Sequence, residues 1–359
     1  MNPIQRLRGA NSTQKTFFPG QRACYKAIIN NDGDLLFVSS YDSIYGYNLF
    51  TENLFHTYKI DDGVINDFDI DLKSEYIVAM GTQSITIFRI ETGEALARSE
   101  PNLYLRCCCI SPMNYIAVVT STQGKQDPVL YSYHFISKNK NLQDKGHLKF
   151  DKPINCITYS DDSRIICGDN EGGLYQINTE QLTKSSDNSQ CITKKISAHR
   201  GAINSIRKSW DGRMFATASA DTTACTWNTE TFEKLGTFPH SYLVSSVAFS
   251  PIYHQIVLAS SSIKQSVART SGNYYPINFF NLIFQEEFAM INCFQSPLND
   301  VVFSPDGYTL VVTSEQGSFM VIRLGDSYRQ MSEEQNEKEN SIKNEIENKQ
   351  YQNRQASHS

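Results

Sequence analysis

The sequence predicts an all-β chain closed into a seven-bladed β-propeller. Three observations lead there. One strand–turn–strand pattern returns seven times, the strand-like runs are too short and too β-branched for helices, and 40% hydrophobic content gives a large core without one long apolar stretch.

The repeat is apolar-x-apolar, a polar turn, then a second apolar strand ending in small or polar residues. Its copies begin at Ala27 (AIINNDGDLLFVSS), Asp67, Arg106, Cys156, Ser205 (SIRKSWDGRMFATASAD), Ser246 and Asp300 (DVVFSPDGYTLVVTSEQG). Equivalent turn positions are Asn31, Leu72, Pro112, Asp161, Trp210, Pro251 and Pro305, so the steps are 41, 40, 49, 49, 41 and 54 residues. Such periods belong to propeller blades of four short strands. A third strand follows each hairpin, as in Ile44–Tyr47, Ile85–Phe88, Leu174–Ile177 and Ala224–Trp227. These runs are β-branched and aromatic and break at polar turns, which excludes helices. Radial repetition of such units leaves few open sheet edges.

Composition narrows the function. A net charge of −5 with no basic stripe argues against a general nucleic-acid binder. The nine cysteines contain no CxxC pair, and Cys107-Cys108-Cys109 alternates sides on a strand, so no metal site or cofactor is expected. Cys156, Cys167 and Cys225 read as small core residues. The odd cysteine count, with no secretory leader or membrane-length apolar run, predicts a soluble cytoplasmic protein. The sequon Asn11-Ser12-Thr13 is then incidental. No paired-carboxylate, GxSxG or metal-ligand constellation points to catalysis.

The fifth unit resembles a WD repeat. Ala198-His199 stands at the Gly-His place, Ser209-Trp210-Asp211-Gly212 at the Ser-Pro-Asp-Gly place, and Ser219-Ala220-Asp221 and Trp227-Asn228 follow in register. The resemblance implies a WD40 propeller in which His199, Ser219, Asp221 and Trp227 form a buried hydrogen-bonded tetrad: scaffold, and not a catalytic triad. Other units are eroded, with Phe88-Arg89 and Tyr175-Gln176 at the Trp-Asp place.

WD propellers are usually closed by an N-terminal strand that completes the last blade, and Pro3-Ile4-Gln5-Arg6-Leu7-Arg8 is the candidate. Asn11–Arg22, Gln123–Lys149 and Thr183–Gln190 read as polar insertions. The propeller is expected to occupy 1–325. The charged segment 326–359, with Met331, Ile342, Ile346 and Tyr351 as its only spaced apolar residues, reads as a disordered or marginally helical tail dispensable for folding.

Two stretches resemble a narrower family. Gly33-Asp34-Leu35-Leu36-Phe37 with Tyr41-Asp42-Ser43 is similar to the first blade of subunit I of eukaryotic translation initiation factor 3. Pro276–Ile291 (PINFFNLIFQEEFAMI), with the long Lys264–Tyr275 connection, Cys293–Asn299 and Ser304-Pro305-Asp306-Gly307, is similar to its atypical sixth blade. The resemblance spans roughly residues 3–325. It implies a non-catalytic scaffold subunit that holds a helical segment of the B subunit, contacts the G subunit, and reaches the small ribosomal subunit through the complex. It places the B-subunit helix at Asp211, with Asn228 standing where the family has a second Asp. Restoring that charge by Asn228→Asp would accordingly bind as well or better.

The turns agree in kind. Turns between first and second strands, and between third and fourth, emerge on one face, and they carry Asp32, Asp71, Asp161, Asp162, Asp211 and Asp306, and Glu180 and Glu230, among others. Asp162, Glu180 and Glu230 join Asp211 and Asn228 as candidate partner-binding residues. Asp is also an ordinary turn residue. Another WD adaptor, either a receptor-associated scaffold or a ubiquitin-ligase substrate receptor, is the alternative reading. Direct RNA binding is not expected, because the aromatics sit at core periodicity.

Overall fold

The computed structural model describes residues 5–6, 13–19, 22–101, 103–121, 127–183, 189–263 and 274–356, with backbone alone at 5–6, 262–263 and 345–356. Pro3, Ile4, Leu7, Arg8, Asn11, Ser12, and the segments 123–126, 184–188 and 264–273 of the expected insertions lie outside the described residues.

Seven antiparallel blades close into a ring. Blade five shows the plan: Ile203–Lys208 lines the central channel, followed outward by Met214–Ser219, Thr223–Asn228 and Lys234–Pro239. Second strands lie between neighbouring blades on both faces, so they read as continuous apolar or small runs. Tyr76–Met80 and Thr309–Ser314 are buried throughout. Outer strands meet a neighbour on one side only and alternate, as in Ile192–Ser197. The core is therefore a series of interfaces between blades, such as Phe37 and Ile44 of blade one against Phe68 and Ile77 of blade two.

Polar residues tie the blades together around the channel. The Asn66, Asn204 and Asn299 side-chain amides donate to the first-strand carbonyls of Leu105, Val244 and Cys24 in the next blade, at 2.8, 2.8 and 2.9 Å. Lys26 pairs with Asp67 at 2.8 Å. Asp300 accepts from Arg207, Ser246 and the Ala27 amide, joining blades seven, five, six and one. A cavity of about 190 Å³ at this end is lined by these same groups. Within it Lys26 is paired with Asp67 and Arg207 with Asp300.

An N-terminal strand closes the ring as expected, but it is a later segment than the expected Pro3–Arg8. Thr13–Phe17 pairs with Phe319–Arg323 and completes blade seven, with Phe17 stacked on Phe319 at 4.8 Å. Gln5–Arg6 instead adds a parallel fifth strand to blade six, against Ala289–Met290. An outer strand buries little, so Thr-Gln-Lys-Thr-Phe carries no apolar signature. The more apolar Pro3–Arg8 run was the wrong guide.

The disordered alternative for the charged segment is also overturned. Asp326–Ala356 is one helix. Tyr328, 1% exposed, inserts between Tyr253 and Phe279 at ring distances of 5.9 and 5.6 Å and donates to Gln255. Ser332 is fully buried, and Glu339 reaches His254 Nδ1 at 2.8 Å and Asn281 Nδ2 at 2.7 Å. Positions 328, 332, 335 and 339 share one helical stripe, and that stripe docks on blade six. The main anchors are Tyr328 and polar groups, which a search for spaced apolar residues passes over; of the four such residues expected, Met331 packs against the same core.

Candidate partner-docking face

Blade five is held by a hydrogen-bonded set close to the expected tetrad. His199 Nδ1 lies 3.0 Å from Asp221 Oδ2, and His199 Nε2 lies 2.7 Å from Thr217 Oγ1. Trp227 Nε1 donates to the same Thr217 oxygen at 2.9 Å. A neutral imidazole with its proton on Nδ1 satisfies all three contacts. Burial holds the His199 pKa below the ordinary imidazole value, although Asp221 pulls the other way. Burial pushes the Asp221 carboxyl up, but bonds from Thr223, the Arg200 amide and His199 outweigh it and keep the pKa below the usual carboxylate value.

The bridging hydroxyl is Thr217, and not Ser219. Thr217 and Ser219 point to the same side of one strand, so periodicity alone could not separate them. Ser219 sits at the strand end, where it donates to the Gly201 carbonyl and accepts from the Asp221 amide. In blade four the register Arg164↔Asn178 places Ile177-Asn178, and not Tyr175-Gln176, at the Trp-Asp position. Tyr175 instead donates to Asp169 at 2.8 Å.

The turns from first to second strand and from third to fourth do share one face, and neighbouring turns interlock there. Asn31 donates to the Leu72 carbonyl, the Met113 amide to Asp162, and Trp210 Nε1 to the Phe249 carbonyl. The face also exposes apolar side chains. Leu72, Met113, Trp210 and Ile252 are 57, 62, 47 and 42% exposed, one from each first turn of blades two, three, five and six. Sequence reading missed this ring. Its signal is an apolar residue at a turn apex, where turns favour polar ones.

The expected site residues fare differently on this face. Asp211 accepts from Ser209 and the Arg213 amide through one oxygen, while the other lies 3.9 Å from Arg213. The Ser209 hydrogen bond holds its carboxyl below the ordinary value. Asn228 Oδ1 caps its own turn by accepting from the Glu230 and Thr231 amides. Glu230 is gripped by Arg164 at 2.9 and 2.8 Å, so its charge is partly spent within the face. Asp162 accepts from Met113, and Glu180 is exposed. The structure brings Asp211, Asn228 and Glu230 together on blade five, with Asp162 and Glu180 one blade away on the same face. Asp71, counted among the acidic turns, is buried on its own turn amides.

The cysteines are core thiols, and burial pushes those of Cys107, Cys108 and Cys109 well up and that of Cys156 to about 12. Among the described residues no group of His, Cys, Asp and Glu is arranged to hold a metal, and no helix is long and apolar enough to cross a membrane.

Seven radial blades, one of them stitched by a His–Asp–Thr–Trp network, define a WD-repeat β-propeller. The WD domain, G-beta repeat model matches residues 189–228, which include all four residues of that blade's network. The fold aligns with the β-propeller domain of Cps50 (Swd1) from Myceliophteria thermophila at a TM-score of 0.68 and 13% identity, covering 86% of this chain and 99% of that one. In sequence the chain is 29% identical over 322 residues to eukaryotic translation initiation factor 3 subunit I of Bombyx mori, covering 86% of this chain and 94% of that protein. The Xenopus tropicalis subunit I is 28% identical over 313 residues, and the Brugia malayi one 24% over 316. The chain is a WD-repeat protein like subunit I of eukaryotic translation initiation factor 3.

Proposed function

We propose that this chain is a non-catalytic, cytoplasmic scaffold subunit of translation initiation factor 3. It holds a helical segment of the B subunit, contacts the G subunit, and joins the small ribosomal subunit through the assembly. The observation that carries this reading is the blade-five turn, where half-exposed Trp210 stands beside Asp211 on a face of acidic and apolar turns. An apolar anchor rimmed by charge suits an amphipathic helix, with the charge supplying steering and register.

The test compares Asp211→Asn and Asp211→Lys in a pull-down of initiation-factor subunits. Asp211→Asn keeps a cap for Ser209 and the Arg213 amide while removing the charge. Both variants are expected to fold, and partner recovery should fall in the order wild type, Asn, Lys. Glu315→Lys, on the opposite face, should change little. Full recovery with Asp211→Lys would remove this face from the mechanism, and recovery of no initiation-factor subunit by the unmodified chain would remove the function.

A further inference from the structure

Blade six shows how this face holds a helix. The helix that begins at Asp326 lays the Glu339 carboxylate between two donors, His254 Nδ1 at 2.8 Å and Asn281 Nδ2 at 2.7 Å. His254 ends the first turn of the blade and Asn281 begins the last. They are fixed beside each other by the bond from the Leu282 amide to the His254 carbonyl, 2.9 Å. Asn281 can donate outward because its Oδ1 is already occupied, accepting from the Ile283 and Phe284 amides.

Blade five repeats this arrangement. Asn228 begins its last turn with the same cap, Oδ1 accepting from the Glu230 and Thr231 amides, so its Nδ2 also faces away from the turn. The residue in the place of His254 is Arg213, which is fixed beside Asn228 by the bond from the Thr229 amide to its carbonyl, 2.9 Å. The strand registers match as well, with Met214↔Asn228 in blade five and Gln255↔Asn281 in blade six. Arg213 is 86% exposed, and among the described residues the acid it pairs with is Asp211, at 3.9 Å. Glu230, the other nearby carboxylate, is held by Arg164.

The same Asn cap recurs at Asn48 and Asn178, but without a basic side chain at the neighbouring place. Asp34 stands in the His254 place in blade one and Ser163 in blade four, each accepting the equivalent amide. A basic side chain beside an outward amide is thus shared by blades five and six, and in blade six a helical glutamate meets the pair.

We propose that Arg213 and Asn228 form a carboxylate-binding site that receives an acidic side chain of the partner helix. This rests on the reading that a partner helix docks at blade five. A guanidinium and an amide offer several N–H donors to one carboxylate, a stronger match than His254 gives Glu339. The partner segment is therefore of mixed charge: a cation for Asp211 and, about a turn away, a carboxylate for Arg213 and Asn228. The Asn at 228 becomes a change of recognised chemistry instead of a lost anchor.

The experiment measures Kd for a synthetic peptide of the B subunit's helical segment from the same organism. Arg213→Ala and Asn228→Asp are compared with the unmodified chain. Asn228→Asp keeps the cap and replaces the outward donor with a negative oxygen, so matched melting temperatures should show that it folds. Each variant is expected to weaken binding by about tenfold or more, as for loss of a charge-assisted hydrogen bond. One Glu or Asp of the peptide, changed to its amide, should cost as much in the unmodified chain and much less beside Arg213→Ala. Unchanged or tighter binding by Asn228→Asp, or no coupled acidic position in the peptide, overturns the site while leaving the docking reading intact. A peptide that fails to bind the unmodified chain overturns both.

Discussion

Blades five and six are neighbours built on one plan, yet they are held together differently. Blade five has four strands of six residues and locks itself through His199, Asp221, Thr217 and Trp227. Blade six has strands of eight, nine, seven and eight residues and relies on chain from outside the blade. Tyr328 of the helix fills its core beside Phe279, Gln255 binds the Tyr328 hydroxyl, and Gln5–Arg6 lies along its outer edge. The difference teaches that a degenerate blade is not an unsupported one. Blade six keeps a different internal chain, His240 to Asn278 at 2.9 Å and Asn278 to Glu287 at 2.6 Å, and contacts from Gln5–Arg6 and the helix add to it in holding the strands.

The largest effect should come from taking away that outside support. Ending the chain at Leu324 removes Tyr328, Ser332 and Glu339 and uncovers the blade-six core. Tyr328→Ala makes the smaller cut at the same place. Loss of a buried aromatic side chain costs about 3–5 kcal/mol, so a lower denaturant midpoint is expected from either change. Hydrogen exchange should rise in blade six before blade five. A chain ending at Leu324 that melts with the full one would make the helix a passenger.

Breaking the internal network of blade five should cost less. Thr217→Val leaves His199 Nε2 and Trp227 Nε1 without their shared buried partner, at about 1–3 kcal/mol. Ser219→Ala removes the bond to the Gly201 carbonyl and the one from the Asp221 amide, both at the strand end, and should cost about 1 kcal/mol. Urea titrations of both variants rank them directly. The reverse order would return the bridging role to Ser219.

These contrasts mark what the sequence could convey. The seven blades were legible because each second strand is buried on both faces and must spell its apolar run. His199, Asp221 and Trp227 were legible because a buried polar set needs specific residue types. Thr13–Phe17 was not, since an outer strand packs on one side and can be almost wholly polar. The docked helix escaped for a related reason: its grip is Tyr328, Met331, Ser332 and Glu339, few and mostly polar, set in a segment whose overall composition reads as solvated. On the candidate face, Asp211 and Asn228 were reached through family resemblance. The pairing of Asn228 with Arg213 depends on two turns meeting across a blade, and nothing in the linear order of residues 213 and 228 announces it.

The smallest expected effect is in pH dependence, and it separates the two blades again. Burial keeps the His199 pKa below its ordinary value, so the folded imidazole stays neutral while the unfolded one takes a proton near pH 6.5. The contribution of His199 is therefore complete above about pH 6.5 and is lost as pH falls from there through its folded pKa. Asp221 acts with the same sign but lower, because its depressed pKa makes its contribution fade only below about pH 3.9, the unfolded carboxyl value. Between pH 7 and 5 the loss in this network comes from His199 alone, at no more than about 1.4 kcal/mol per pH unit for one proton. Exchange measured across that window should show blade five loosening on acidification, and His199→Gln should flatten the dependence while lowering stability at pH 7. A blade-five slope that survives His199→Gln would place the titrating group elsewhere. His134 in blade three, whose pKa burial also depresses, would then be the first to examine.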